Sequence, residues 1–500
     1  MTHEPSTPLK PSPKSSFKAS FKTRLQKGIL ATIGGLAVLA QADAALAGMC
    51  RAELPRKIDA IVNGYTLAGA KVGILIEDAR PDTRTLYSRR AQEKFIPASN
   101  VKLLTTAAAL QNLGPNYSIR TSVFGKPNSS SQDLYVVGHG DPTFTSYQLN
   151  LLSNQLKQQG ITRVNSLTAV DNYFTGPAAN PYWDAEDYRA GYGAPTNSLI
   201  LNRNELGYTL FPTSTGQPLR VVWDRPEFVR GWRIENNSRT ISSGSEFIDA
   251  GQKPGQKVMQ VRGQLYAGSA SENASIAVLD PSSYFAEQFQ QSLNAYGIRS
   301  AAGKVSTANP PAGLVELAAI QSPPLRAFID PTNLYSVNIY AEAMLKALGR
   351  AVDPTTQNTY ASGAAAVSQI LTDLGVAPNS VSIVDGSGLS RRDQATPEAF
   401  VDTLQAIAQT ENADIYRNSL AIAGRSGTLR NRMRGTNAEG RFWGKTGTLS
   451  DTYTLSGYLN PPNHPPLALS ILINNSNANS SDVRSLIDQI ITHASNLNDC

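Results

Sequence analysis

Three short motifs, far apart in the chain, constrain its fold more than its composition does. They are Ser99-Asn100-Val101-Lys102, Ser336-Val337-Asn338 and Lys445-Thr446-Gly447, in that order. Any one alone is weak. Ser-x-x-Lys recurs at Ser15-Ser16-Phe17-Lys18, and Ser-x-Asn recurs at Ser271-Glu272-Asn273 and Ser292-Leu293-Asn294. A lone copy reads as an ordinary polar surface stretch. Lys-Thr-Gly occurs once, and the order of the three, each in a suitable local setting, is what gives them weight. If they act together, the fold must gather the two halves of the chain around one point.

The local settings are distinct. Pro97-Ala98 precedes Ser99, and Val101, Leu103, Leu104, Ala107, Ala108 and Leu110 follow, which predicts the start of a buried helix. Three residues apart, Ser99 and Lys102 then share a helical face. A nucleophile at such a start sits near unpaired backbone N–H groups and the positive end of the helix dipole. The second motif opens a helical pattern over 334–348. The third lies in a strand, Phe442 to Thr448, followed by apolar runs at 453–459 and 467–473 with Asn460-Pro461-Pro462 between them. That spacing predicts an antiparallel meander.

The motif set matches that of the penicilloyl serine transferases. The chain resembles the D-alanyl-D-alanine carboxypeptidase/endopeptidase family, the low-molecular-mass class C penicillin-binding proteins of the penicillin-binding protein 4 type, which carry a large insertion. The resemblance implies an α+β fold: a serine β-lactamase/transpeptidase-like domain, with helices on an antiparallel sheet, split by a mainly β inserted region. The expected organisation is a signal peptide over 1–47, a first catalytic part over 48–116, an accessory region of one or two subdomains over 117–325, and a second catalytic part over 326–500. Short β-like runs at 134–137, 167–170, 219–222 and 257–261, separated by Gly, Asn, Pro and Ser, support that accessory region. Helical patterns at 52–65, 364–374, from Thr396-Pro397 onward and at 481–495 flank it, the last with an apolar face read as core packing.

The resemblance also implies roles. Ser99 is the nucleophile that forms an acyl-enzyme with stem peptides of peptidoglycan ending in D-Ala-D-Ala, and β-lactams are covalent inhibitors. Lys102 is the candidate base, since a serine hydroxyl needs one. Burial and a second cation, Lys445, both favour its neutral amine. His3, His139, His464 and His493 are the only histidines, and none lies near a serine motif. Ser336 and Asn338 would relay the proton and hold the substrate amide. Lys445, Thr446 and Thr448 would bind the terminal carboxylate, and Gly447, without a Cβ, would let substrate lie along the strand edge. The backbone N–H groups of Ser99 and Thr448 would receive the oxyanion. No metal or organic cofactor is required. A serine β-lactamase and a catalytically silent wall-binding module remain as alternatives. The long Ser99–Ser336 separation argues against the first, and the intact motifs argue against the second.

Two further stretches have plain readings. Asp385-Gly386-Ser387-Gly388-Leu389-Ser390-Arg391 resembles a family signature, and its preferred reading is a tight turn that shapes the domain. His139, in Gly138-His139-Gly140-Asp141-Pro142, reads as a turn residue.

The ends of the chain bear on location. Lys10, Lys14, Lys18, Lys22, Arg24 and Lys27 precede an uncharged stretch from Gly28 to Ala40, and Ala45-Leu46-Ala47 and Ala42-Asp43-Ala44 are cleavage candidates. The apolar stretch is shorter than the roughly 20 residues of a membrane span. An exported, periplasmic or otherwise extracytoplasmic protein is expected, with at most peripheral membrane association. Residues 1–47 carry those six basic residues against Glu4 and Asp43, a net of +4, so the rest holds +2 of the chain's +6. So nearly neutral a chain is a poor nucleic-acid partner. Cys50 and Cys500 are the only cysteines, and in an exported protein they are a candidate disulfide. Met49 is ill suited to a lipoprotein signal at Cys50.

Overall fold

A computed structural model describes residues 49–500 except 66, 68 and 81–83. The leader and its cleavage candidates lie outside the described residues.

A six-stranded antiparallel sheet joins both ends of the chain. Its order is Ala421–Ile422, Phe442–Leu449, Thr452–Leu459, Leu467–Asn474, Lys71–Asp78 and Thr85–Arg89. Lys71 pairs with Asn474 and Asp78 with Leu467, so an early strand closes onto the late meander. Residues alternate across each strand. Val72, Ile74, Ile76, Leu469, Ile471 and Ile473 face helices α1 (Leu54–Gly64) and, at the far end of the chain, Ser480–Ser495. Leu75, Ala468 and Leu472 face the opposite way, with Leu103 and Leu104 of α2 (Val101–Asn112). Two buried faces explain why Leu467–Ile473 is apolar on both sides of the strand, with only Ser470 interrupting it. The terminal helix therefore packs in the core, as expected. Among the described residues no helix is long and apolar enough to cross a membrane.

Cys50 and Cys500 form a disulfide with a Cα–Cα distance of 5.3 Å. Met49–Cys50 pairs in parallel with Leu497–Asn498 beside it.

Residues between α2 and the second motif form a separate apolar cluster that includes Val123, Leu134, Leu167, Leu206, Met259 and Phe289. This region is richer in helix than its β-like runs suggest. Ser131–Val137, α3 (Ser146–Gln158) and Arg163–Val170 make a parallel βαβ unit, and α4 (Pro281–Ala295) packs on the same sheet. Both helices carry start signals: a Thr145/Gln148 capping box, and Asp280 capping ahead of Pro281.

The chain then returns through α5 (Arg326–Leu334), α6 (Asn338–Val352), α7 (Thr359–Asp373) and α8 (Pro397–Ile407). The helix expected over 334–348 is present as α6 but starts four residues later, because Leu334 ends the preceding helix. Ser336 adopts φ +62°, a left-handed conformation that ends one helix and lets the next start at Asn338. Thr396 caps α8 by accepting the Ala399 N–H at 3.0 Å, as expected.

Candidate active site

The three motifs meet at the end of α2. Ser99 lies in a 3-10 turn, Ala98–Asn100, that leads into the helix. Ala98 holds φ +47°, so the turn is strained and must be fixed from outside. The neighbouring strand fixes it. Thr454 donates its hydroxyl to the Pro97 carbonyl at 2.9 Å, and Asn100 Nδ2 donates to Ser456 Oγ at 2.7 Å. Ser456 pairs with Lys445 in the ladder, so the third motif and the turn that carries Ser99 share one anchor.

Lys102 is fully buried, and Ser99 is 6% exposed at the cleft. The Lys102 ammonium nitrogen donates to Ser99 Oγ at 3.1 Å, to Asn338 Oδ1 at 2.8 Å and to the Ser387 carbonyl at 2.6 Å. The Asn338 and Ser387 oxygens thus aim the nitrogen at the serine oxygen. On the far side of the site, Lys445 Nζ donates to Ser336 Oγ at 2.9 Å. The left-handed turn at Ser336 is what turns that hydroxyl towards the strand.

The remaining third-motif residues divide by face. Thr446 and Thr448 line the cleft, and Thr446 Oγ1 donates to Thr428 Oγ1 at 2.9 Å. Lys445 is buried behind them. Gly447 faces the Ser99 turn rather than open cleft. A Cβ there would meet Thr454 Oγ1 at 2.2 Å and the Pro97 carbonyl oxygen and the Ser99 nitrogen each at 2.9 Å. Close packing of strand on turn therefore requires the glycine, whatever the substrate does.

The 385–391 stretch corrects its sequence reading. It is not only a domain-shaping turn. It supplies the Ser387 carbonyl to Lys102, and Gly388 abuts the Ser99 turn so closely that a Cβ would fall 1.8 Å from the Ala98 carbonyl oxygen. Gly388 also holds φ +77°, so both space and backbone demand glycine. Buried acids lie behind it. Glu342, one turn beyond Asn338 on α6, accepts the Gly386 N–H at 3.1 Å. Burial, then the neighbouring Asp385 charge, hold Glu342 and Asp393 above the usual carboxylate range.

The cleft, about 1220 Å³, includes residues no motif announced. Asp187 and Tyr192 enter from the inserted region, and the Tyr192 carbonyl accepts from Asn338 Nδ2 at 2.9 Å. Burial raises the Asp187 carboxyl above its ordinary range. Nothing in the sequence around them signalled a site. His139 lies in an irregular segment just after the strand Ser131–Val137 rather than in a turn, its Nδ1 2.8 Å from the Arg120 carbonyl.

Chemically, this is a serine hydroxyl under a buried lysine, with a second serine–lysine pair opposite and no histidine within the hydrogen-bonded set. Comparison with known proteins agrees. The D-Ala-D-Ala carboxypeptidase 3 (S13) family model matches residues 54–494. A D-alanyl-D-alanine carboxypeptidase of an Actinomadura species is 33% identical over 442 residues, 84% of this chain and 81% of that protein. The D-alanyl-D-alanine carboxypeptidase DacB of Haemophilus influenzae is 25% identical over 404 residues, 78% of this chain and 82% of the relative. The crystal structure of penicillin binding protein 4 from Haemophilus influenzae has the same fold, with a TM-score of 0.77 at 22% identity over 88% of this chain and 98% of its own. A second structure of that protein, at a TM-score of 0.73, holds a β-lactam. The chain belongs to the D-Ala-D-Ala carboxypeptidase 3 (S13) family and is a serine-type D-Ala-D-Ala carboxypeptidase, a hydrolase.

Proposed function

We propose that Ser99 cleaves the terminal D-Ala-D-Ala bond of peptidoglycan stem peptides through an acyl-enzyme, and that it opens peptide cross-links by the same chemistry. The observation that carries this reading is the 3.1 Å contact from Lys102 Nζ to Ser99 Oγ, with the lysine fully buried. In its neutral form Lys102 takes the Ser99 proton as the oxygen attacks the carbonyl carbon. The oxyanion is received by the backbone N–H groups of Ser99 and Thr448. The C–N bond then breaks, and the proton Lys102 has taken passes by way of Ser336, backed by Lys445, to the leaving D-alanine amine, which returns Lys102 to its neutral form. Asn338 holds the substrate amide. Thr446 and Thr448 hold the terminal carboxylate, with Lys445 supplying positive charge from behind the strand. Water gives a proton to Lys102 as it attacks the ester, the ester C–O bond breaks, and Ser99 Oγ takes that proton back from Lys102.

A β-lactam enters by the same attack, its ring amide opening to leave a stable ester on Ser99. The β-lactam held by the related Haemophilus protein supports this reading. The division of the chain at 116/117 and 325/326, a leader removed after Ala47, and an extracytoplasmic location complete the proposal. The basic stretch before Gly28 and the Cys50–Cys500 disulfide support export.

Incubating the mature protein with a D-Ala-D-Ala pentapeptide and with cross-linked muropeptides tests it. Mass spectrometry should find loss of one alanine from the first and monomers from the second. Intact pentapeptide at full enzyme folding would defeat the proposal. Rapid catalytic turnover of penicillin without peptide cleavage would replace it with a β-lactamase.

A further inference from the structure

We infer that Trp183, in the inserted region, is a positioning residue for the acylation step, acting through Asp385 and the Ser387–Gly388 peptide on the Lys102 ammonium. The inference rests on the acyl-enzyme reading above.

The geometry is a relay of fixed planes. Asp385 Oδ1 accepts the N–H of Ser387 at 3.0 Å and that of Gly388 at 2.6 Å. A trans peptide points its N–H and its C=O in opposite directions. Holding the Gly388 N–H therefore turns the Ser387 carbonyl away from Asp385 and onto Lys102 Nζ, at 2.6 Å. Holding the Ser387 N–H likewise turns the Gly386 carbonyl onto Thr105 Oγ1, also on α2, at 2.9 Å. One carboxylate oxygen thus sets two peptide planes against the nucleophile helix.

The second oxygen keeps that carboxylate in place. Asp385 Oδ2 accepts the Ser390 N–H at 2.7 Å and Trp183 Nε1–H, also at 2.7 Å. Among these four bonds the tryptophan supplies the side-chain donor, and it comes from the inserted region; Asp393 also hydrogen-bonds the Asp385 carboxyl from its own loop. Its own segment is tied to the same loop and to α6. Asn180 Nδ2 donates to the Val384 carbonyl at 2.6 Å, and Ser390 Oγ donates to the Tyr182 carbonyl at 3.1 Å. Lys346 Nζ grips the Pro177 and Thr196 carbonyls at 3.1 and 2.7 Å. Between those two grips the same segment presents the Tyr192 carbonyl to Asn338, the other group that holds Lys102. So two of the three acceptors around the Lys102 ammonium are oriented with help from residues 177–196. On this account the inserted region completes the geometry of the base as well as covering the cleft.

The test separates positioning from folding and from the function itself. Acylation of the full mature chain by a fluorescent penicillin is followed by stopped flow, giving the limiting acylation rate and the preceding binding constant. Trp183→Phe keeps the ring bulk and removes the N–H. Its limiting rate should fall about tenfold, the scale of losing a hydrogen bond to a charged group, with the binding constant within about twofold. In an Asp385→Asn background the same change should add less than about twofold, because it acts through that carboxylate. Wild-type rates in a folded Trp183→Phe variant, or a full tenfold loss in both backgrounds, would overturn the inference and leave the acyl-enzyme reading standing. A wild-type protein that forms no adduct would remove both. If Trp183→Phe does not fold, Asn180→Leu cuts a neighbouring tie to the loop and should also slow the limiting rate. An unchanged rate there would overturn the inference equally.

Discussion

Lys346 offers a stability test whose sign is set by the structure. It lies on α6 two turns beyond Asn338, fully enclosed, with its ammonium 4.3 Å from the Tyr360 ring centroid and bonded to the Pro177 and Thr196 carbonyls. Burial lowers it from 10.5 to about 7, and the opposing pull of Glu342 and Asp171 is not enough to restore it. An amine depressed in the fold binds its proton more tightly when unfolded. Below about pH 7 both states are protonated and the whole penalty stands, roughly 3.5 pH units or about 5 kcal/mol. From there up to the unfolded value, stability rises with pH. Glu342 and Asp393, held high by burial and by Asp385, slope the other way near neutrality. The comparison is therefore with Lys346→Met, and it starts near pH 8. Between about pH 8 and pH 10 the wild type should gain about 2.5 kcal/mol over the variant in urea unfolding. The variant pays separately, and without pH dependence, about 1–3 kcal/mol for each carbonyl left unpaired. A difference that stays flat across that range would show a Lys346 that keeps its charge in the fold, and the reasoning would be wrong.

Other outcomes follow from the same contacts. Lys102→Ala should slow acylation by about 10²–10⁴-fold, the usual worth of a general base, and stopped-flow acylation rates within about threefold of wild type would dismiss that role. Gly447→Ala should nearly abolish acylation in a protein that still folds, because its Cβ presses on the Ser99 nitrogen and the Pro97 carbonyl. Normal penicillin labelling of that variant would refute the packing argument. Replacing Cys50 and Cys500 by serine should cost up to about 5 kcal/mol in urea unfolding, since the bridge closes nearly the whole described chain. An unchanged midpoint would show the bridge adds nothing to stability. A substrate with an amidated C-terminus should bind more weakly, and equal KM values would remove the carboxylate role of Thr446, Thr448 and Lys445.

The site's main parts could be read from the sequence because they combine rare local signals. Pro97-Ala98-Ser99 before a helical run, a strand carrying Lys445-Thr446-Gly447, and a Thr-Pro helix start at 396–397 each reflect chemistry within a few residues. The meander could be read because two of its strands, Thr452–Leu459 and Leu467–Asn474, are buried on both faces. What could not be read depends on distant partners. The break at Ser336 is a left-handed backbone turn at a residue type that gives no warning of it. Asp187 and Tyr192 reach the cleft only because the inserted region folds back over α6. The Gly-rich stretch at 385–391 looked like a turn, and it is one. Its function lies in which way the Ser387 carbonyl points, a property no residue type encodes. Helices α3 and α4 could have been found from their caps at Thr145 and Asp280, but Gly- and Asn-rich surroundings masked them.

The most direct measurement is the site of covalent attachment. Mature protein treated with a labelled penicillin, digested and mapped by mass spectrometry, should carry one label per chain on the peptide containing Ser99, and Ser99→Ala should carry none. A label on another residue, or undiminished labelling of Ser99→Ala, would contradict the account.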